Sequence, residues 1–167
     1  MDAWDHLRWL FDTDDGALYD IRLTGLDEDG LATAFEFVRS RSIITPDDLF
    51  WHVGLDRDQP VADYPDAARL VARGVAEPFH VLAARLEFAG AVVPDLGVFV
   101  WPGEVTLDYR MGPEWGRPQL LALFELLRQL AAATGGGVSL CGKVPPQGDA
   151  QFVSEWQAYC AASAARA

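Results

Sequence analysis

The sequence predicts an α+β fold, with helices covering one face of a mainly antiparallel sheet of about four to six strands. Three patterns lead to this prediction: segments of apolar–polar alternation, segments with apolar residues at helical spacing, and a hairpin in the middle of the chain. No internal repeat, long linker or change of composition divides the sequence. We therefore expect residues 1–167 to form a single domain, with enough hydrophobic residues (50% of the chain) for one core.

The amino-terminal third predicts a helix, a strand and a second helix. Asp2 is placed to cap a short first helix. Residues 18–23 alternate as in a half-buried strand, whose apolar face is formed by Tyr19, Ile21 and Leu23. Asp27 then provides the N-cap of a helix with apolar side chains at positions i, i+3, i+4 and i+7, namely Leu31, Ala34, Phe35 and Val38.

The middle of the chain predicts two further strands and a short helix. Residues 49–55 are expected to form a strand, and residues 65–73 a helix that ends before Gly74. Residues 81–88 alternate, which predicts a strand with Arg85 and Glu87 facing outward and with these residues facing the core: Leu82, Ala84, Leu86 and Phe88.

A central hairpin gives the clearest local signal. Residues 98–101 and 105–111 are predicted strands, joined by Pro102 and Gly103, which suit a type II turn. Because a two-residue type II connection fits the twist of the strands poorly, we expect a slightly longer loop. A long helix, a short strand and a final amphipathic helix are predicted to follow, over residues 118–134, 138–141 and about 152–160.

Composition and charge exclude several classes of protein. The amino terminus lacks the basic and apolar regions of a signal peptide, and no apolar stretch is long enough to span a bilayer. With 13 basic against 25 acidic residues, direct binding to nucleic acid is not expected. Cys141 and Cys160 are expected to be buried free thiols in a reducing cytoplasm. The preference for Arg over Lys is typical of proteins from GC-rich bacterial genomes.

The negative charge is concentrated near the amino terminus. Residues 1–66 contain 16 acidic and 5 basic residues, whereas residues 115–167 contain 3 acidic and 4 basic residues. A one-sided field of this kind attracts and orients a cationic partner. We expect these carboxylates to gather on one exposed side and to contact a basic protein: Asp12, Asp14, Asp15, Asp27, Glu28, Asp29, Asp47, Asp48, Asp56, Asp58, Asp63 and Asp66.

No motif identifies a catalytic, cofactor or metal site, and no cofactor is expected. Residues 137–143 match the first seven positions of a phosphate-binding loop. However, Val144 replaces the Ser or Thr that binds magnesium, and Pro145 and Pro146 prevent the helix that this loop requires. The three histidines have no metal-ligand spacing.

The outward face of the central hairpin is a second candidate site. Thr106, Asp108 and Arg110 are predicted to share this face, with Arg85 and Glu87 on the equivalent side of the preceding strand. Such a face fits a ligand-binding or protein-binding surface, and it equally fits a solvated face with cross-strand ion pairs.

The observations favour a non-enzymatic acidic binding protein. The most concrete form is an immunity-type or antitoxin-type inhibitor that masks a basic partner such as a nuclease toxin. Two alternatives stay open: a small enzyme of unfamiliar type, and a ligand-binding or regulatory domain with a pocket beside the sheet. Trp101 and Trp115 stand beside turns, either as exposed anchors of a recognition site or, as we expect, at the edge of the core.

Overall fold

The computed structural model describes residues 2–14, 16–141 and 144–166 and confirms the α+β fold. The strands in this part of the chain are β1 (Leu18–Thr24), β2 (Ile43–Ile44), β3 (Leu49–His52), β4 (Arg57–Pro60), β5 (Phe79–Ala84), β6 (Glu87–Phe88), β7 (Ala91–Val92), β8 (Leu96–Trp101), β9 (Glu104–Arg110) and β10 (Gly137–Cys141). The α-helices are α1 (Ala3–Leu7), α2 (Glu28–Arg39), α3 (Ala67–Ala72), α4 (Arg117–Thr134) and α5 (Pro146–Ala164).

Six strands form one antiparallel sheet in the order β10–β1–β9–β8–β5–β2. The amino-terminal strand β1 therefore lies inside the sheet, between two strands from the second half of the chain. The register places Asp20 of β1 opposite both Cys141 and Asp108, and Asp108 opposite Gly97 of β8. The remaining strands form two short ribbons, β3–β4 and β6–β7.

The two faces of this sheet differ in burial. On the inner face, Tyr19, Ile21 and Leu23 are at most 8% exposed and belong to the same core as helix residues such as Leu31 and Phe124. On the outer face, the alternate side chains of β1 and β9 are mostly half-buried or exposed. The sheet thus has one face in the core and one face open to solvent, which confirms the predicted arrangement.

The predicted helix boundaries have the expected capping contacts. The side chain of Asp2 accepts hydrogen bonds from the backbone N–H groups of Trp4 and Asp5 at the start of α1. Asp27 accepts a hydrogen bond from Gly30 N at 2.7 Å at the start of α2. Helix α4 ends at Gly135, whose φ of +73° is the left-handed conformation that favours glycine.

The β8–β9 hairpin is tighter than expected. Trp101 pairs directly with Glu104, so Pro102 and Gly103 alone form the connection, and the expectation of a longer loop was wrong. Gly103 has a φ of +79°, as the second central residue of a type II turn requires. Leu26 N donates a hydrogen bond to Gly103 O at 3.1 Å, which ties the turn to the segment entering α2.

The predicted alternation of residues 81–88 was wrong. The structure buries Phe79, Val81 and Ala83, whereas Leu82 is 43% exposed. The strand ends at Ala84, and Arg85 follows with a φ of +60°. A left-handed residue turns the chain out of the extended path, so the alternation does not continue across it. Leu86 and Phe88 are buried, as predicted, but beyond this break in the strand.

Three smaller expectations are also corrected. The strand expected over residues 49–55 ends at His52 and continues as a 3₁₀ turn over Val53–Leu55. Cys141 and Cys160 are free thiols, as expected, but each is only half-buried. Trp115 is buried and donates a hydrogen bond to Arg110 O, whereas Trp101 is 41% exposed and does not belong to the core.

Candidate functional site

The first acidic candidates are neutralised by arginines of the chain itself. Asp12 accepts a hydrogen bond from Arg8 at 3.0 Å, and Asp14 forms an ion pair with Arg110 at 3.3 Å. Asp15 lies outside the described residues. These carboxylates thus have less uncompensated charge to offer a partner than the sequence predicts.

The candidates at the start of α2 have local partners as well. Asp27 caps the helix, Glu28 forms ion pairs with Arg69 and Arg73, and Asp29 forms an ion pair with Arg69 at 2.6 Å. Hydrogen bonds from Arg73, and next from Arg69, lower the pKa of Glu28. These contacts join α2 to α3 and give the carboxylates a structural role.

The two amino-terminal groups of carboxylates do not form one patch. Asp14 and Arg110 lie near Leu18, at the start of β1, because Arg110 pairs with Leu18. The carboxylates at the start of α2 follow the other end of β1. Seven extended residues separate these ends by about 20 Å. The two groups therefore lie at opposite ends of β1, separated along the sheet.

A different group of candidates surrounds the β3–β4 ribbon. Six aspartates lie in the segment 47–66 that contains it, and among the described residues none of the six forms an ion pair with an arginine: Asp47, Asp48, Asp56, Asp58, Asp63 and Asp66. All of them are exposed except Asp48, which is half-buried. The single basic residue within residues 47–66 is Arg57, so this segment keeps a strongly negative charge.

The same ribbon exposes four large apolar side chains. Leu49, Trp51, Val53 and Leu55 are 48%, 37%, 50% and 46% exposed. The ribbon is held to the protein by the alternate residue Phe50, which is 2% exposed and contacts the rings of Tyr64 and Phe79.

We call the four apolar side chains and the six aspartates together the ribbon surface. Trp51 pairs across the ribbon with Asp58, so apolar and acidic groups lie side by side on this surface. An exposed apolar patch with a polar rim is typical of a protein-binding surface.

The open face of the six-stranded sheet is the second candidate surface. As predicted, Thr106, Asp108 and Arg110 alternate along β9 on this face. Arg85 lies beyond the end of β5, and Glu87 lies in the separate β6–β7 ribbon, so neither belongs to the face as predicted. We use the name sheet groove for the depression of about 500 Å³ at its centre, lined by Leu18, Asp20, Arg22, Phe99, Trp101, Glu104, Thr106, Asp108 and Cys141.

A network of charged side chains crosses the sheet groove. Arg22 of β1 donates two hydrogen bonds to the carboxylate of Glu104, one of them at 2.7 Å from Nε, and Thr106 donates a third at 3.0 Å. The hydrogen bonds from Arg22 are the main cause that lowers the pKa of Glu104. Arg22 and Glu104 thus neutralise each other.

A second pair spans one whole strand. Nε2 of His80, on β5, lies 2.8 Å from Oδ2 of Asp108 on β9, and β8 runs between them. Gly97 makes this contact possible, because a Cβ atom at this position would overlap both the imidazole and the carboxylate. Sequence reasoning weighed His80 only as a metal ligand and did not identify this pair.

Asp20 is the carboxylate of the groove that has no such partner. Among the described residues it has no hydrogen bond and no ion pair, although it is directly opposite Asp108. Burial, and next the charge of Asp108, raise the pKa of Asp20. Two adjacent carboxylates without a shared cation are an unfavourable arrangement on a sheet.

The groove is bordered by aromatic rings. Phe99 and Trp101, alternate residues of β8, stack with their centroids 4.5 Å apart and their planes 11° apart. The imidazole of His80 contacts the other side of this row, with its centroid 5.2 Å from that of Phe99. Acidic groups and a partly exposed aromatic stack therefore face the same volume.

These side chains are not arranged for nucleophilic catalysis. Cys141 lies on β10 and His80 on β5, four strand spacings apart, or about 19 Å. Burial is the main cause that raises the pKa of the Cys141 thiol, which disfavours the reactive thiolate. In the part of the chain that the structure describes, no cluster of three His, Cys, Asp or Glu residues could hold a metal ion.

The residues that resemble a phosphate-binding loop do not form one where they are described. Gly137–Cys141 is the extended strand β10, whereas a phosphate-binding loop curves around its ligand. Gly142 and Lys143 lie outside the described residues.

Comparisons with known proteins do not assign this chain to a family. No family model, no curated protein and no solved structure matches it. Within the described residues, no helix has the length and apolar character needed to cross a membrane.

Proposed function

We propose that this protein is a non-enzymatic acidic binding protein that masks a basic partner protein, in the manner of an immunity protein or antitoxin. The observation that carries the proposal is the ribbon surface, where four exposed apolar side chains lie among six aspartates without arginine partners. A nuclease toxin is a fitting partner class, because a site that grips phosphates is cationic and can be covered by carboxylates.

The apolar side chains supply the contact energy for such a complex. Trp51 is a suitable anchor, since tryptophan is enriched among the few residues that dominate binding energy. Its neighbour across the ribbon, Asp58, offers a carboxylate to the arginine or lysine side chains of the partner. The ribbon therefore combines an anchor and a charged rim within one short segment.

The charge of the molecule disfavours a second copy as the occupant of the ribbon surface. The chain carries a formal net charge of −12, and six aspartates of each copy would meet across the contact. Like charges at close range oppose association, whereas a basic protein would be attracted over several ångströms and would associate faster. The proposed setting is a reducing bacterial cytoplasm, which suits the two free thiols.

Two variants with equal changes of charge test the proposal. In the ribbon variant, four unpaired aspartates become asparagine: Asp47→Asn, Asp56→Asn, Asp58→Asn and Asp63→Asn. In the control, four paired carboxylates are neutralised: Asp12→Asn, Asp14→Asn, Glu28→Gln and Asp29→Asn. Each variant and the wild type serve as bait in lysate from the source cell, and the captured protein is then purified for stopped-flow measurements.

The expected result is capture of a basic protein whose association rate falls at least tenfold between 50 and 500 mM salt. The ribbon variant, or Trp51→Ala alone, should bind this protein at least tenfold more weakly than the control does. An association rate that ignores salt, or equal binding by the ribbon variant and the control, would disprove the proposal.

A further inference from the structure

The sheet groove has the composition of a docking surface rather than of a solvated sheet face. Leu18, Leu82 and Trp101 are 55%, 43% and 41% exposed around a centre made of charged side chains. A solvated face typically carries charges that satisfy one another and little apolar area. Here the apolar side chains remain uncovered, and they extend beyond the groove itself.

The charge of the groove selects a cation. Arg22 is hydrogen-bonded to Glu104, and its positive charge offsets only part of the charge of the carboxylates next to it. Asp20 and Asp108 lie side by side across β1 and β9 without an arginine partner within the described residues. Asp108 contacts His80, and Asp20 has no hydrogen bond or ion pair there. Burial, and next the charge of Asp108, raise the pKa of Asp20 although the charge of Arg22 opposes them, so this carboxylate favours an additional cation.

The aromatic rings define the shape of that cation. Phe99 and Trp101 form a flat stack on the same face as the two aspartates. A guanidinium group is planar, stacks on aromatic rings and donates two parallel hydrogen bonds to carboxylates, whereas an ammonium group does not have this shape. The contact of His80 across Gly97 fixes the carboxylate of Asp108 in position to accept such bonds.

We propose that the open sheet face is a second docking surface, whose groove binds an arginine side chain from an extended segment of a protein partner. The guanidinium group lies against the Phe99–Trp101 stack and donates hydrogen bonds to Asp20 and Asp108, and the flanking residues of the segment cover Leu18 and Leu82. This surface is distinct from the ribbon surface, and the inference does not rest on the proposed function.

The test uses short peptides and the whole protein. Acetyl-Leu-Gly-Arg-Gly-Leu-amide, whose leucines lie on the same side of an extended chain as the arginine, is titrated into ¹⁵N-labelled protein, with matched peptides that carry lysine or the uncharged isostere citrulline instead of arginine. The arginine peptide should shift the backbone amides of β1, β8 and β9 and should bind at least tenfold more tightly than the citrulline peptide. The lysine peptide and free arginine amide should both bind more weakly.

Variants on the two surfaces make the test specific. Asp20→Asn combined with Asp108→Asn should weaken the binding of the arginine peptide at least tenfold. Asp58→Asn on the ribbon should leave this binding unchanged. The amide spectrum of each free variant reports its fold. Asp20→Asn alone serves if the double variant does not fold.

Several results would each overturn the inference. They are shifts confined to the ribbon or elsewhere, equal binding of the citrulline or lysine peptide, equal binding of free arginine amide, and no effect of the asparagine variants. Because the probe is a peptide and not the captured partner, a negative result here leaves the ribbon experiment intact.

Discussion

Glu125 shows how much one side chain can contribute when several donors converge on it. Its carboxylate, 16% exposed, accepts hydrogen bonds from Arg128, from Gln129 at 2.8 Å and from the hydroxyl of Tyr159 at 2.9 Å. Because Tyr159 belongs to α5, these bonds join the two long helices. The hydrogen bonds from Arg128 are the main cause that lowers the pKa of Glu125 to about 2.

We expect Glu125→Gln to lower the free energy of unfolding at pH 7 by about 1–3 kcal/mol, the usual contribution of hydrogen bonds to a charged group. The pKa of the carboxyl is lower in the folded protein than its ordinary 4.5, so its stabilisation is present above pH 4.5. The difference between wild type and variant should therefore shrink as the pH falls from 4.5 towards 2. Urea unfolding between pH 3 and 7 measures this.

Glu36→Gln is the matched control, because Glu36 is exposed and has no side-chain hydrogen bond within the described residues. It should change stability by less than about 0.5 kcal/mol at every pH. A loss for Glu125→Gln that is the same at pH 3 and pH 7 would show that the ionised carboxylate is not the source of the stabilisation.

Sequence could predict the abundance of carboxylates but not their partners. Asp14 and its partner Arg110 are far apart in the chain, as are His80 and Asp108, and only the strand order brings them together. For this reason the sequence could not show which carboxylates have an arginine or histidine partner. The sequence also could not predict that the apolar residues of the ribbon are exposed, since apolar alternation usually indicates a core-facing strand.

At the scale of elements, the edge strand β10 is protected by the helix that follows it. Leu140 N donates a hydrogen bond to Oδ1 of Asp149, in the first turn of α5, at 2.7 Å. An exposed strand edge offers unpaired backbone groups to other chains, and a side chain that occupies one of them reduces this risk. Asp149 also carries negative charge at the helix N-terminus, where it is favourable.

Asp149→Ala should lower the free energy of unfolding by about 1–2 kcal/mol and speed hydrogen exchange at the Leu140 amide, because the acceptor is removed. Asp149→Asn keeps an acceptor oxygen and should lower the free energy of unfolding by about half as much or less. Chemical denaturation and amide exchange measure both effects. If the asparagine variant loses as much as the alanine variant, the charge and not the hydrogen bond is responsible.

The buried face of an element was predicted correctly where only one set of its residues is apolar. Helix α2 and strand β9 each have polar residues between their apolar ones, so their buried faces were predicted correctly, including the shared face of Thr106 and Asp108. Residues 81–84 are all apolar, so either set of alternate residues could face the core. The positive φ of Arg85 ends the regular alternation. The sequence does not reveal this conformation, because Arg85 is not a glycine.

At the scale of the whole molecule, net charge keeps the exposed apolar surfaces of separate copies apart. The ribbon surface and the sheet face both expose large apolar side chains, and the formal charge of −12 opposes contact between copies at pH 7. This repulsion disappears near the sequence pI of about 4.4.

We therefore expect light scattering to rise steeply as the pH falls from 7 towards 4.4, while circular dichroism still reports folded protein. Replacing Leu49 and Trp51 by serine should reduce this scattering, because the ribbon supplies much of the exposed apolar surface. Scattering that stays flat down to pH 4.4 would contradict the role assigned to charge.

The place of β1 inside the sheet has a consequence for biosynthesis. During synthesis β1 emerges before its two neighbours, which follow only at Glu104–Arg110 and Gly137–Cys141. Until the last of them emerges, Ile21 and Leu23 have no completed sheet to join, and the segments between β1 and β10 cannot pack against it. The sheet is thus expected to close only after β10 has emerged, and until then chaperones have a long opportunity to bind.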